Sequence, residues 1–513
     1  MRYLDLFAAR PLVWSLFLLY LGATAWLAFL GWRKTRDLKS FATGGGAMSP
    51  VVVGITLAAS MASTATFVIN PGFVYQHGVA ALMHLGVAVS LGIITGLVTL
   101  SAGFQRIGAR TGALTLPHWI GQRYGSPGLA VLFALLGLLY LSFIVLLVGS
   151  LSIVCQLTLG LTNLESVALV IVFVFGYVLL GGAWAHAYTN TLQGIIKAVV
   201  AVMLVGSGLA YLGGGLHIHD SDLLAWVNHS SPLFHSVFSV YVSGFVMGFA
   251  VCCQPHIMSK ALYVKDRRAV RRYLVVAIAL QLVYTAVLLV GLYAHAADLP
   301  PAAVARQDAV ATAYINHTFS SGAVAVILLG LLAGGMSALA AILMALSSSI
   351  ANDLFLPLAR RTWLKDADDA RRSRAAHRAG QAALVLLGAV AFVIALHPPR
   401  LLGIFGQVGV YGLVAAATAP ILFGILCPQL GARSALAAAL LGLGLHFGLY
   451  FGGASPNPAV PAAIAILSSC GLMAAVELQR RLRTLFLSSS ISRRSSATSS
   501  VGVGGAGAGA GDA

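Results

Sequence analysis

The stretch A-A-S-M-A-S-T-A-T-F-V-I-N-P-G, from Ala58 to Gly72, decides the fold of this chain. It lies within an apolar run from about 48 to 75, long enough to cross a bilayer of roughly 30 Å. Its centre is nevertheless small and hydroxylated, and Asn70-Pro71-Gly72 is predicted to break its far end. Polar, interrupted backbone at membrane depth is tolerated only where protein buries it or where it lines a cavity. The stretch therefore fits either a tightly packed transmembrane helix or half of a site for a solute or an ion.

The composition is typical of a membrane protein. Of the 513 residues, 59% are hydrophobic and only 9% are charged, and the mean hydropathy is +0.91. No soluble domain has this balance, so we expect a polytopic membrane protein. The five cysteines lie in or beside apolar runs without metal-ligand spacing, so we interpret them as small buried hydrophobes.

Thirteen apolar runs predict transmembrane helices, at 11–32, 49–75, 78–104, 127–158, 165–183, 190–213, 236–259, 273–296, 320–350, 380–397, 402–426, 431–452 and 459–478. With the N-terminus outside, 26 of the 31 lysines and arginines fall in inner loops. This bias accounts for the net charge of +17 as a topology signal, so no nucleic-acid partner is expected. It predicts a multi-pass protein of the cell inner membrane with a cytoplasmic C-terminus.

A second interrupted run lies in the seventh predicted span. There Gly244 and Gly248 precede Gln254-Pro255-His256, and glycines with a proline inside an apolar run predict a discontinuous helix. This run follows the opening one by five spans. Interrupted helices at corresponding positions of two halves indicate an inverted-repeat transporter with its site near the membrane midplane.

A few other polar residues lie within predicted spans. Gly334 and Ser337 share a face of the ninth span, and Gln407 begins a polar pair at i and i+4 on the eleventh. His84 is the deepest titratable residue, and both a structural role and a substrate contact stay open for it. Lys197, two turns from the predicted inner face, is expected to snorkel. The acids all lie in loops, termini or span edges, so no central carboxylate relay is expected.

The sequence resembles the sodium:solute symporter family from about residue 32 to 473, and it is most similar to the pantothenate branch. The stretches that carry the resemblance are Ala59–Gly78, Thr115–Tyr124, Gly181–Gln193, Gly334–Asp353, Gln254-Pro255-His256 and 401–413. The resemblance implies an all-α, LeuT-type core of 5+5 inverted repeats. The implied domains are a first helix and basic inner loop at 1–48, repeats at 49–213 and 214–426, two peripheral helices at 427–484, and a disordered cytoplasmic tail at 485–513.

The resemblance also implies a sodium site between the second and ninth spans, with Na+ as the coupling ion. Carried over by position, its ligands are the carbonyl oxygens of Ala59, Ala62 and Gly334 and the hydroxyl of Ser337. The chain departs from the family pattern at Ala338, where a second hydroxyl is usual, and at Asn190, where an acid is common. Both departures should weaken sodium binding, so coupling to sodium, to protons or to no ion stays open.

We expect a secondary active transporter that imports a small organic solute by sodium symport and alternating access. The scarcity of charge at depth favours a neutral or singly anionic solute. The predicted solute-binding residues are Ser60, Ser63, Thr64, His84, Tyr140, Met247, Gln254 and Gln407. Two alternatives stay open, namely a proton-coupled carrier or facilitator of the same fold and a membrane solute sensor that does not transport. An enzyme is not expected, because no nucleophile–base or metal cluster has catalytic spacing.

Overall fold

The computed structural model describes residues 2–209, 211, 221–297, 299–397 and 402–501, and every regular element in these ranges is a helix. The main helices are labelled in chain order: α1 Pro11–Trp32, α2 Pro50–Met61, α3 Ala65–Thr111, α4 Pro127–Leu159, α5 Asn163–Leu179, α6 Gly181–Ser207, α7 Phe238–Val251, α8 Pro255–Tyr263, α9 Arg267–Ala296, α10 Ser321–Ala359, α11 Asp369–Leu396, α12 Leu402–Leu426, α13 Ala432–Phe451 and α14 Ala459–Val501. The predicted all-α membrane fold is confirmed.

In the described part of the chain, fewer helices qualify as transmembrane spans than the sequence predicts. Among the described residues, ten helices are long and apolar enough to cross a membrane, and counting each of two bent pairs as one span gives up to twelve. α5 is apolar but shorter than these. The thirteen spans that the sequence predicts are therefore not confirmed as a count.

The opening stretch is a broken helix, but its break lies earlier than the sequence predicts. α2 ends at Met61, Ala62 is extended (φ −88°, ψ 107°), and helix resumes at Ala65. Asn70-Pro71-Gly72, the predicted break, lies inside α3, where a π-helical turn over 65–69 precedes the proline. The proline is tolerated because it stands in the first turn after that irregularity. The carbonyls at the end of α2 are left without their usual donors four residues on.

The second predicted break is confirmed. α7 and α8 are bent by 56° relative to each other, and Gln254 between them is extended (φ −67°, ψ 139°). Pro255 takes the first position of α8, where its missing N–H costs no hydrogen bond.

α6 lies at the centre of the helical packing, in contact with α1, α2 and α10. Gly182 bends its start, with φ +55°, a conformation that favours glycine. A side chain there would also meet the ring of Phe41, with a Cβ only 2.5 Å from its Cδ2 atom. The helix thus starts at Gly181, nine residues before the span that the sequence predicts at 190–213, and this shift decides where Lys197 lies.

The end of the chain differs from its prediction. α14 continues to Val501, so the backbone of 485–501 is helical where the sequence predicts a disordered tail. Extending an existing helix avoids the cost of nucleation, which explains how a Ser-rich segment can form the last part of α14. Residues 502–513 and the predicted repeat boundary at 213–214 lie outside the described residues. The domain boundaries stay predictions.

Candidate cation and solute site

The side chain of Lys197 fills the break between α2 and α3. It is 0% exposed, and its Nζ atom donates to the carbonyl oxygens of Ala59 at 2.5 Å and Ala62 at 2.8 Å. It also donates to the Oγ atom of Ser337 at 2.8 Å. Carbonyls at a helix C-terminus lack intrahelical donors and carry partial negative charge, which attracts a cation. The three N–H groups of an ammonium are thereby matched by three oxygens.

The predicted snorkelling of Lys197 is wrong. The residue lies fifteen positions after Gly182 and ten before Ser207, which places it about 22 Å and about 15 Å from the two ends of the helix. A lysine side chain does not span either distance, so its ammonium cannot reach a membrane surface. Because it is buried, its charge must be met by protein groups, and the break beside it supplies them.

The oxygens around this ammonium are largely those predicted to bind sodium. Gly334 supplies the fourth predicted ligand, and its carbonyl accepts from Ser337 Oγ at 2.9 Å, while Ala59 O lies 2.9 Å from the same hydroxyl. The ring centroid of Tyr284 lies 5.6 Å from Lys197 Nζ, within range of a cation–π interaction. The structure therefore brings the four predicted ligands together around a lysine, and Na+ binding by them stays a prediction.

Polar residues form a stripe along the same face of α6. His186, Asn190, Gln193 and Lys197 follow one another at spacings of four, three and four, the spacing of a single helix face. Asn190 Nδ2 donates to Ser60 Oγ at 3.1 Å. The Oδ1 atom of Asn190, the Oε1 atom of Gln193 and both ring nitrogens of His186 are buried without a partner among the described residues. Such atoms mark places that a water, an ion or a solute would complete.

This stripe is the signal that sequence reasoning missed. The spacing was readable from the sequence, but a span that begins at residue 190 excludes His186 and places Lys197 near the inner face. Starting the helix at Gly181-Gly182 puts all four residues at membrane depth.

A second polar cluster lies at the break between α7 and α8. Tyr140 Oη donates to Gln254 Oε1 at 3.0 Å and lies 3.0 Å from His256 Nδ1, and all three side chains are buried. Lys260, one turn further along α8, is also buried, and its Nζ atom lies 4.7 Å from the ring centroid of Tyr263. The second break thus carries a phenol, an amide, an imidazole and an ammonium.

A small cleft adjoins this cluster. Pro255 and Ser259 line it from α8, and Met344 and Ser348 line it from α10. The hydroxyl of Ser348 is buried without a partner among the described residues. The cleft therefore adds one unpartnered hydroxyl beside the second polar cluster.

Of the three hydroxyls predicted to bind solute at the first break, those of Ser60 and Thr64 already donate to backbone carbonyls. Ser60 Oγ donates to Thr56 O at 2.7 Å, and Thr64 Oγ1 donates to Leu331 O at 3.1 Å. Ser63 is buried beside them, and its backbone N–H donates to a neighbouring threonine hydroxyl at 3.2 Å. These side chains hold the break in shape in this conformation.

For three of the predicted solute contacts, no hydrogen bond to either polar cluster is found among the described residues. His84 Nδ1 contacts the carbonyl oxygens of Ser239 at 2.9 Å and Val240 at 3.0 Å, which ties α3 to α7. Met247 packs in a separate apolar cluster with residues of α12 and α14. Gln407 is half-buried on α12. The structure supplies His84 with a structural role and places Met247 in an apolar cluster.

Two helices broken within the membrane, each with polar groups gathered at its break, define a membrane transporter. The model of the sodium:solute symporter family matches residues 41–442, and the chain belongs to this family. It is a transporter and not an enzyme. Its membership of this family supports import of a small solute with Na+ as the coupling ion.

Curated relatives agree with the family assignment. The chain is 24% identical over 446 residues to the sodium/pantothenate symporter of Haemophilus influenzae, covering 85% of this chain and 89% of the relative. It is 26% identical over 430 residues to the sodium/pantothenate symporter of Escherichia coli, covering 79% and 83%. Among solved structures, a Na+-coupled sialic acid symporter in a substrate-bound, outward-open state matches with a TM-score of 0.76 and 13% identity, over 90% of this chain and 96% of that one. The last match shows a shared fold.

Proposed function

We propose that the chain imports a small neutral or singly anionic organic solute across the cell inner membrane, with its N-terminus outside and its C-terminus in the cytoplasm. The observation that carries the solute part is the cluster of Tyr140, Gln254 and His256 at the α7–α8 break. Similarity to sodium/pantothenate symporters over about four fifths of the chain supports an organic solute.

The chemistry of the cluster supports the proposed charge of the solute. Gln254 and Tyr140 offer an amide and a phenol, which bind neutral hydroxyl or amide groups. Lys260 and His256 are buried nearby, and no ion pair to either is found among the described residues. A singly anionic solute would supply the missing negative charge at this position, whereas a cationic solute would be repelled.

The test is uptake into proteoliposomes that contain the purified full-length protein. A screen of small metabolites by thermal shift first identifies ligands, since a ligand that binds the native state stabilises it. Uptake of the selected solute is then measured with an inward Na+ gradient and with K+ in place of Na+. Na+-dependent accumulation of a neutral or singly anionic solute supports the proposal, and stabilisation by cationic solutes alone would contradict it.

A second candidate function is a proton-coupled carrier or facilitator of the same fold. The observation that favours it is the ammonium of Lys197 on the predicted sodium ligands. Around Lys197, α2 offers carbonyl oxygens and α10 offers a hydroxyl. The titratable side chain on the same helix is His186. The titratable side chains of neighbouring helices in this region are Tyr284, Tyr20 and Tyr177. No carboxylate of the described residues forms an ion pair with Lys197. Uptake that follows an imposed pH gradient in Na+-free buffer would select this candidate.

A further inference from the structure

We propose that the ammonium of Lys197 is a built-in cation that takes the place of Na+ between α2 and α10, so that Na+ does not bind there. The inference rests on the proposed function in one respect, because it assumes that the protein is a transporter with a cation site at this position. The inference goes beyond the proposed function in two ways. It assigns the cation site to a side chain of the protein, and it locates any bound Na+ elsewhere in the molecule.

Geometry supports the substitution. Nζ lies 2.5–2.8 Å from three oxygens, two of them carbonyls at the broken end of α2 and the third the Ser337 hydroxyl. These oxygens converge on one point, and that point is occupied by nitrogen. A sodium ion bound to the same oxygens would overlap the ammonium, and two positive charges at such a distance repel each other strongly.

The electrostatics of the break explain why a cation is needed. The last carbonyls of α2 point into a buried space without intrahelical donors, and such groups are costly when unpaired. Ser337 donates its own hydrogen to Gly334 O or Ala59 O, so its oxygen is free to accept from Lys197. The ammonium therefore completes a network in which each carbonyl has a donor.

The neighbouring substitutions fit the same interpretation. Ala338, which is 1% exposed, supplies no second hydroxyl at this position. Asn190 supplies a neutral amide in place of a carboxylate, and its Nδ2 atom contacts Ser60 Oγ at 3.1 Å. A site of two carbonyls and one hydroxyl, with no carboxylate of the described residues paired to it, binds Na+ weakly, but it suits a cation that is held in place covalently.

The consequence concerns coupling. A cation on a side chain is not carried across the membrane, so this position contributes no Na+ to the transport cycle. Any Na+ that drives import must use other oxygens, and its effect should not depend on Ser337.

The experiment measures Na+ binding to the purified full-length protein without solute, by thermal shift at constant ionic strength in NaCl or KCl. In Lys197→Ala the four predicted ligands become accessible, so we expect Na+ to bind at least about tenfold more tightly than to the same site in the wild type, seen as a Na+-specific rise in Tm. The double variant Lys197→Ala/Ser337→Ala should lose this gain. Lys260→Ala, which removes a buried lysine outside this set of oxygens, should not show it.

A second measurement covers the case in which Lys197→Ala does not fold. Wild type and Ser337→Ala are compared directly, because neither lacks the lysine. A Na+ response that is equal in both proteins, or absent from both, supports the proposal. A Na+-specific stabilisation of the wild type that disappears in Ser337→Ala would overturn it, and so would a Lys197→Ala variant that folds and responds to Na+ as the wild type does.

Chemical rescue provides an independent criterion. Propylammonium has the atoms that Lys197→Ala removes, so it should raise the Tm of that variant, whereas propanol, which lacks the charge, should not. Equal effects of the two compounds would contradict the assigned role of the charge. These measurements need no solute. The proposal about Lys197 can therefore fail while Na+-driven uptake is observed, and it can hold while no uptake is observed.

Discussion

The Nζ atom of Lys197 and the Oγ atom of Ser337 lie 2.8 Å apart across the contact between α6 and α10. The same hydroxyl lies 2.9 Å from the carbonyl oxygens of both Ala59 and Gly334. One serine thus joins three helices at the place where α2 is broken. Its position is the one that the sequence predicts for a sodium ligand, but its observed partner is an ammonium.

Removing the Ser337 hydroxyl should destabilise the protein. In Ser337→Ala the buried ammonium loses one of its three acceptors, and we expect a loss of about 1–3 kcal/mol in the free energy of unfolding, the cost of leaving a buried polar group unpaired. The measurement is the Tm of the purified protein. Ser347→Ala is the matched control, because Ser347 is equally buried on α10 and its hydroxyl has no partner among the described residues. An equal fall in Tm for both variants would contradict the role assigned to Ser337.

Tyr140→Phe should weaken solute binding. The change removes the hydroxyl that contacts both Gln254 and His256, each at 3.0 Å. The loss of one hydrogen bond is worth roughly 0.5–1.5 kcal/mol, which corresponds to a rise of up to about tenfold in the half-saturating solute concentration. The readout is initial uptake at varied solute concentration in proteoliposomes.

The control for this change is Tyr124→Phe. Tyr124 is also buried, but it is the last residue of the short helix Leu116–Tyr124, and its hydroxyl donates to Pro420 O at 2.7 Å and not to a residue of the cluster. It should lower the Tm and leave the half-saturating concentration unchanged. If the two variants raise that concentration equally, the α7–α8 cluster is not the solute site.

Gly335→Ala should disturb the first break by steric overlap. A Cβ atom at this position would lie 2.5 Å from Thr64 Oγ1 and 2.6 Å from two side-chain atoms of Leu151. Overpacking of a well-packed core typically costs about 1–3 kcal/mol, so the Tm should fall. Gly444→Ala on α13 meets nothing within 4 Å and should leave the Tm unchanged or raise it slightly. If Gly335→Ala left the Tm unchanged, α10 would be able to move away from the break, which would contradict the prediction.

The second helix break was predictable because its signal is local. Pro255 directly follows Gln254, and proline inside an apolar run has a steric consequence that needs no tertiary information. The first break lacks such a residue. It falls at Ala62, in a run of small residues, and the sequence placed it instead at Pro71, where the proline begins a helical segment.

The partner of the first break could not be predicted in the same way. Lys197 reaches it from α6, 135 positions after Ala62, and that meeting depends on how helices pack. The error had a local cause, because the start of α6 was placed at 190 instead of at Gly181-Gly182. Which residues share one face of a helix can be predicted from the sequence. Which helix packs against that face cannot.

His84→Ala and His256→Ala should differ in what they change. His84 contacts the carbonyl oxygens of Ser239 and Val240, so its loss should destabilise the packing of α3 on α7 by about 1–3 kcal/mol and leave solute affinity unchanged. His256 lies in the cluster with Tyr140, so its loss should raise the half-saturating solute concentration. Tm and uptake are measured on both variants. A His84→Ala variant that raises the half-saturating concentration as much as His256→Ala does would restore the solute contact that the sequence predicts for His84.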